Sequence, residues 1–419
     1  MSALARVRRR LIPFLFVLYL VSYLDRVNVG FAALQMNTAL GFSPSVYGFG
    51  AGIFFVSYVL FEIPSNLLLD RIGVRIWIAR IMITWGLVSA ATMFVRSAES
   101  FFALRFLLGA AEAGFFPGII LYLTRWFPAG ERARAVAWFM TATALAGVVG
   151  GPVSGALLGF GGFGGLAGWQ WLFLLEGIPA VVLGIAVLLW LPDTPSDARW
   201  LTPEEQRAIE EAVRAEQQEI RASSHRTLGP ALVSGRVWLL AIIYFTIVIS
   251  FYGISLWLPQ IVRSFADVGD LKIGFLSAIP YAAAAVGMVI VASQSDRSGE
   301  RGIYVAVSAL AGAVGFLAAA SLHGGAASLA ALSLAALGVW STLGPFWTFP
   351  PRFLVGPAAA GGIALINSVG NVGGFAGPYV LGYIRDHTGS FAWGLRALAG
   401  SLIVTAVLAL TVRRTIRDG

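Results

Sequence analysis

Long apolar runs, separated by short polar clusters, recur along the whole chain. They approach the roughly 20 residues that an α-helix needs to cross a bilayer. Six lie at 11–34, 46–69, 76–95, 100–123, 135–158 and 170–191, and six more at 237–259, 272–294, 303–322, 326–347, 359–384 and 391–412. One long polar segment, 192–236, parts the two sets. The pattern predicts an all-α polytopic membrane protein with twelve transmembrane helices. Residues 1–191 form a first six-helix half, 192–236 a linker with a short helix, and 237–419 a second half. Within the linker, Thr202-Pro203-Glu204-Glu205 is a helix-start signal: Thr as the cap, Pro in the first turn, Glu three positions on.

Composition agrees with that pattern. Hydrophobic residues make up 58% of the chain and charged residues 12%, about half the charge of a soluble protein, so a water-facing surface cannot be clothed. The net charge of +8 would suggest nucleic acid in a soluble domain. Its placement excludes that reading. Arginines cluster at the N-terminus, at Arg71, Arg75, Arg80, Arg125, Arg132 and Arg134, through 199–236, at Arg297, Arg301 and Arg352, and at Arg413, Arg414 and Arg417. All fall on one side of the membrane if both termini are cytoplasmic, and the other side has only Arg96, Arg263, Lys272, Arg385 and Arg396. Arg6, Arg8, Arg9 and Arg10 before Leu11–Leu24 imitate a signal peptide. No small-residue cleavage site follows, and the apolar pattern resumes after Asp25-Arg26, so a retained first helix is expected. There is no cysteine, and His225, His323 and His387 lie in loops. Neither a metal, a cofactor nor an intramembrane active site is expected from such a set.

The two halves repeat each other. Asp70-Arg71-Ile72-Gly73-Val74-Arg75 and Asp296-Arg297-Ser298-Gly299-Glu300-Arg301 share the pattern DRxGxR at an offset of 226. Gly147 and Gly151-Pro152 recur as Gly373 and Gly377-Pro378 at the same offset. A parallel duplication of six helices is a transporter architecture with its site between the halves at mid-depth. In each DRxGxR loop, Asp70, Arg71 and Arg75 or Asp296, Arg297 and Arg301 can form charge-assisted bonds that lock one face as a gate.

Ionisable residues inside spans are costly and are functional candidates by default. Those of this chain are Asp25, Arg26, Glu62, Arg105, Glu112 and Glu176, all in the first half. At 1.5 Å per residue, Asp25 lies roughly 20 Å into its helix, near mid-depth. Glu112 reaches a similar depth from the other side, with Arg105 two turns away on the same face. The offset of 226 turns Asp25 into Phe251, Arg26 into Tyr252, Arg105 into Ala331 and Glu112 into Gly338. The first half therefore carries the charge, and the second supplies neutral and aromatic contacts. A buried acid beside an arginine can change protonation as its exposure changes, so Asp25 and Glu112, with Arg105, are proton-coupling candidates; a static ion pair is the alternative. The planar fork of Arg26 suits a substrate carboxylate, or else an internal acid. Tyr23, Asn28, Tyr58, Tyr244, Trp347, Asn367 and Asn371 are candidate substrate-lining groups, several of which could equally serve packing. Glu62 and Glu176 read as packing or gate hydrogen bonds.

Beyond these chemical arguments, the sequence resembles the major facilitator superfamily and, within it, the anion:cation symporters. The residues that carry this are Tyr23-Leu24-Asp25-Arg26-Val27-Asn28, Glu62-Ile63-Pro64-Ser65-Asn66-Leu67, Arg105 with Glu112-Ala113-Gly114-Phe115-Phe116-Pro117, and Phe173-Leu174-Leu175-Glu176-Gly177-Ile178-Pro179. Leu191-Pro192-Asp193, Pro350-Pro351-Arg352 and Asn367-Ser368-Val369-Gly370-Asn371 match as well. The resemblance implies a monomeric, multi-pass protein of a bacterial inner membrane that imports a small organic carboxylate with protons by alternating access. The substrate classes implied are tartrate, sugar acids and aromatic acids. It further implies that Asp25 and Glu112 carry protons, that Arg105 pairs with Asp25, and that Arg26 meets the substrate. Thr143 and Tyr244 stand where a sugar-acid member has glutamine, which makes the site less polar. The Gly-Gly-Pro helix also resembles an antiporter motif, so export by exchange is the alternative.

Overall fold

Hydrophobic runs of this length fold as helices because a span in lipid must satisfy its own backbone hydrogen bonds. The computed structural model describes residues 3–128, 131–132, 135, 141–222, 233–322, 324–350 and 357–417. Arg134, His225, His323, Pro351 and Arg352 lie outside these, while His387, expected in a loop, lies in the last turn of the helix Pro357–Thr388. The first half comprises α1 (Ala3–Leu40), α2 (Pro44–Ile72), α3 (Val74–Ala91), α4 (Ala98–Glu112), α5 (Phe115–Trp126), α6 (Ala142–Leu158) and α7 (Gly168–Trp190). The linker holds α8 (Pro203–Ala222). The second half comprises α9 (Gly235–Arg263), α10 (Asp270–Ser298), α11 (Arg301–Ser321), α12 (Gly325–Phe346), α13 (Pro357–Thr388) and α14 (Ala392–Arg417). Among the described residues, ten helical stretches are long and apolar enough to cross a membrane, with α4 and α5 taken together as one. α6 and α13 occupy the two remaining predicted positions.

One predicted span is corrected. The run 100–123 is not a continuous helix but breaks at Ala113-Gly114. Ala113 is extended (ψ 131°) and Gly114 has φ 87°. The Ser65 hydroxyl of α2 donates to the freed Ala113 carbonyl at 2.6 Å, and a Cβ on Gly114 would lie 2.3 Å from that same Ser65 oxygen. Pro117 sits in the first turn of α5, where its missing N–H costs nothing. The break leaves Glu112 as the last residue of α4.

The halves meet along α2 with α13, α6 with α10, and α1 with α9. The first two contacts are images of one another under the repeat. Gly48 of α2 lies against Pro378 of α13, and Gly151 of α6 against Gly274 of α10. A Cβ would come within 2.6 Å of the Pro378 carbonyl oxygen in one case and 2.4 Å of the Gly274 oxygen in the other. Backbones approach this closely only at glycine.

Hydrogen bonds between the halves gather at the face opposite the termini. Gln35 donates to Asp270 at 2.6 Å and Tyr47 to the Leu256 carbonyl at 2.6 Å. Asn37 donates to Gln260 at 3.4 Å and the Ser45 N–H to Asp386 at 3.3 Å. Asp270 is also ion-paired with Arg263. Deeper in, Arg26 donates to Tyr252 and Asn367 to Glu62. The halves are thus sealed on the side away from the termini.

The two DRxGxR loops close differently. In the second, Gly299 is left-handed (φ 72°, ψ −7°) and folds Arg301 back onto Asp296, with which it forms an ion pair. In the first, Gly73 takes a different positive-φ conformation (φ 103°, ψ 147°), and the expected Asp70–Arg75 contact does not form. Arg75 instead meets Asp193, its N–H at 2.8 Å from Oδ1 and its side chain at 3.6 Å from Oδ2. Asp70 faces Arg125 at 3.9 Å. Arg71 and Arg297 are exposed.

α8 begins with the reciprocal cap that the sequence spells. Thr202 Oγ1 accepts from the Glu205 N–H at 3.3 Å, and Glu205 Oε2 accepts from the Thr202 N–H at 3.0 Å. Arg6 of α1 holds Glu205 at 2.8 Å. Trp200 stacks on Trp126 of α5, with ring centroids 6.0 Å apart and a 12° interplanar angle. The linker helix therefore docks on the first half.

Candidate functional site

Arg26 of α1 stands at the centre of the molecule with its side chain 11% exposed. It is ion-paired with Glu112, and Ser22 donates to the same carboxylate oxygen at 3.1 Å. Its other terminal nitrogen donates to the Tyr252 hydroxyl of the second half at 3.0 Å. The rings of Phe54 and Tyr58 lie 5.4 Å from the guanidinium. A carboxylate at the C-terminal end of a helix faces the negative end of the helix dipole. Glu112 therefore needs Arg26, and the break after Glu112 puts that need at mid-depth. Of the two partners left open for Arg26, the internal acid is the one engaged in this conformation.

Asp25, one residue away, points into the first half and is 1% exposed. Its carboxylate accepts from Asn28 at 3.0 Å, from the Trp85 indole at 2.5 Å and from Ser89. All three donors are neutral. The Arg105–Asp25 pair implied by the family resemblance is not formed. Arg105 is turned toward α2, where it donates to the Ala51 carbonyl at 3.3 Å and lies 5.1 Å from the Phe54 ring. Asn28 is buried, and its Nδ2 donates to Asp25. Tyr23 is buried with its ring 6.3 Å from Phe251, and its hydroxyl has no partner among the described residues.

The second half contributes aromatic surface and amides. Tyr244 stacks on Phe346 at 5.2 Å and meets Trp347 edge-on at 4.9 Å. Asn367 donates to Glu62 at 2.8 Å, so Glu62 forms a link across the halves rather than a packing contact within one. Asn371 lies one turn further along α13 and is half-buried. Asp25, Trp85, Ser89 and Asn28 thus form one cluster within the first half. Arg26, Glu112, Tyr58 and Tyr252 form another at the interface, with Glu62 and Asn367 beside the aromatic group.

No motif marked Trp85, Ser89 or Ser22, and Asp193 stood only within Leu191-Pro192-Asp193, with no role assigned. For Trp85 and Ser89 a signal existed: two hydrogen-bond donors four residues apart share one face of α3. Tyr252 was visible as the counterpart of Arg26 at the offset of 226.

Comparison with known sequences and structures follows the same lines. Residues 15–378 match the family described as Major Facilitator Superfamily. The chain is 50% identical over 412 residues to a protein described as "Putative tartrate transporter" from Agrobacterium vitis, covering 98% of this chain and 95% of that one. It is 42% identical over 403 residues to a "Quinolone resistance transporter" from Acinetobacter baumannii, covering 96% and 93%. Among solved structures, a bacterial homologue of the human lysosomal transporter Spinster, described as inward-facing and unoccupied, superposes with a TM-score of 0.77 at 20% identity over 98% of both chains.

Proposed function

Because this chain belongs to the Major Facilitator Superfamily and is a membrane transporter rather than an enzyme, we propose that it carries a small organic carboxylate across a bacterial inner membrane together with protons. The termini lie in the cytoplasm in this reading, and the protein works as a monomer. The conformation then faces inward, sealed at the periplasmic side.

The observation that carries the proposal is Arg26, held between Glu112 of its own half and Tyr252 of the other. A substrate carboxylate competes with Glu112 for the same planar fork. When Glu112 takes a proton it releases Arg26, which is then free to bind the incoming anion. Once the site opens inward, Glu112 loses its proton to the cytoplasm, reclaims Arg26 and expels the substrate. Asp25, wrapped in neutral donors, is the second proton carrier, and Arg105 reaches the Ala51 carbonyl of α2 instead of Asp25. Tyr23, Tyr58, Tyr244, Trp347, Asn367 and Asn371 bound the space into which the rest of the substrate fits. Four of those six are aromatic, which suits a short or planar acid better than a long polyol. The relative described as a tartrate transporter makes a dicarboxylate the first substrate to try.

The test is uptake of labelled tartrate, and of a panel of sugar and aromatic acids, into proteoliposomes under an imposed pH gradient. A gradient acidic on the periplasmic side should drive accumulation. Accumulation driven only by the reverse gradient would overturn symport. The relative described as a quinolone resistance transporter favours proton-driven export as the second reading, and fluoroquinolone flux under the reversed gradient distinguishes the two.

A further inference from the structure

A cavity of about 280 Å³ opens at the sealed face, and both halves wall it. The first half contributes Asn37, Thr38 and Phe42, and the second Gln260, Arg263 and Arg385. No acid lines it. A water takes roughly 30 Å³ of the liquid, so the space holds a small carboxylate.

The two arginines are placed differently. Arg263 is ion-paired with Asp270, which also accepts from Gln35 across the halves. Arg385, half-buried near the end of α13, has no carboxylate partner among the described residues. Its guanidinium lies 3.8 Å from the Phe391 ring and 6.0 Å from that of Trp257. Contact with a ring face leaves the in-plane N–H groups of an arginine able to donate. The neighbouring Asp386 accepts from the Ser45 N–H instead, and Asp267 and Lys272 do not line the cavity.

The amides have a donor to spare as well. Asn37 Nδ2 donates to Gln260 Oε1 at 3.4 Å, while Gln260 Nε2 and Asn37 Oδ1 are buried without partners. Turning both amides over exchanges the roles and again leaves one amide N–H group unused. Arg263 Nε is a further buried donor without a partner. Closing this face brings α1 against α9 and α13 and strips water from these groups without bringing Arg385 an acid, which is unfavourable. An anion in the cavity answers Arg385 and the spare donors together. Parting the halves here removes α1 from the wall, so the cavity belongs to the sealed conformation alone. A ligand that binds one of two conformations favours that one.

We propose that this cavity is an anion site separate from Arg26, which fills from the sealed side and holds the halves closed there. Its ligand is a small carboxylate or an inorganic oxyanion, bound by Arg385 with the spare donors of Gln260 and Arg263. For an importer of organic anions, cargo outside then slows the return to the outward-open state. That consequence rests on the transport reading above; the site does not.

Labelling of a single thiol tests the site. The chain has no cysteine, and Thr38 is exposed in the cavity wall. Purified full-length Thr38→Cys is treated with a maleimide at constant ionic strength, with sodium chloride replaced stepwise by sodium tartrate or sodium sulfate. The oxyanion should slow labelling severalfold and saturably. Protection by tartrate alone assigns a carboxylate ligand, and equal protection by sulfate assigns oxyanions in general. No protection by either would overturn the site. Adding Arg385→Gln should remove the protection and Arg385→Lys should retain it; undiminished protection with R385Q would again overturn the proposal. Adding Arg26→Ala with Glu112→Gln, which disables the central site, should leave protection intact. Its loss there would trace the effect to Arg26 and overturn a separate site. If the chain carried no organic anion, uptake would fail while protection by the oxyanion remained.

Discussion

Arg26 and Tyr252 occupy equivalent positions of the two halves, 226 residues apart, and are hydrogen-bonded to each other at 3.0 Å. Equivalent positions can touch only where the pseudo-two-fold axis passes between them. Gly30 and Leu256 repeat the relation further along the same two helices, with the Leu256 carbonyl 2.8 Å from where a Gly30 Cβ would stand. The axis thus runs between α1 and α9, and Arg26 is the cation beside it.

Tyr252→Phe removes one donor–acceptor contact without changing volume. The loss should be about 1 kcal/mol, or roughly a fivefold weaker apparent Kd for the carried anion. Ligand-induced thermal shift on the purified variant measures it, and an unaltered Kd would take Tyr252 out of the site.

Arg26→Ala strands the Glu112 carboxylate. Removing one partner of a buried ion pair typically costs about 3–5 kcal/mol. The single variant should therefore melt well below wild type. Arg26→Ala combined with Glu112→Gln should recover much of that stability while remaining unable to bind the anion. Equal melting temperatures for the single and double variants would contradict the pairing.

Glu112→Gln keeps the shape of the side chain and abolishes its titration. Gradient-driven accumulation should fall to the level of empty liposomes, while exchange of internal for external substrate at equal pH continues. Retained accumulation would show that Glu112 does not carry a proton.

Arg75 and Asp193 form one interaction at the terminal face, and Asp70 belongs to another. Arg75→Ala and Asp193→Asn should each cost about 0.5–1 kcal/mol and the double variant no more than either alone, since contacting residues are non-additive. Asp70→Asn should add independently. Melting temperatures of the four variants check this, and additivity of Arg75→Ala with Asp193→Asn would rule out the contact.

Gln35→Ala removes a link between Gln35 and Asp270 at the sealed face. A change of about 1 kcal/mol in a two-state balance shifts the minor population roughly fivefold. Ala33, buried, lines the cavity at that face with Asn37, Phe42, Gln260 and Arg385. Because the chain has no cysteine of its own, a cysteine placed at Ala33 is its sole thiol. Labelling of that thiol by a membrane-impermeant maleimide should accelerate in the Gln35→Ala background. An unchanged rate would mean that Gln35 does not hold the gate.

The helical spans were legible because spanning length and apolar content are properties of single segments. The duplication was legible because two motifs share one offset. Glu112 as a helix end was not, since the apolar run continues through Ala113 and only Gly114 with Pro117 hints at the break. The Arg105–Asp25 pair fails for a related reason. Spacing along one helix fixes which face a side chain shares with its neighbours, but a partner on another helix depends on axial register. Here that register sets the Ala51 carbonyl and the Phe54 ring before Arg105. Asp193 lies more than a hundred residues from the loop it completes, and the different glycine conformations at Gly73 and Gly299 carry no trace in the shared pattern.

The charged groups at mid-depth all belong to the first half, while the second lends Tyr244, Tyr252, Trp347, Asn367 and Asn371. In the proposed function, proton coupling would therefore rest with the first half, and much of the choice of cargo with the second. A chimera joining residues 1–236 of this chain to the second half of a relative with another diet should keep the driving ion and acquire a new cargo.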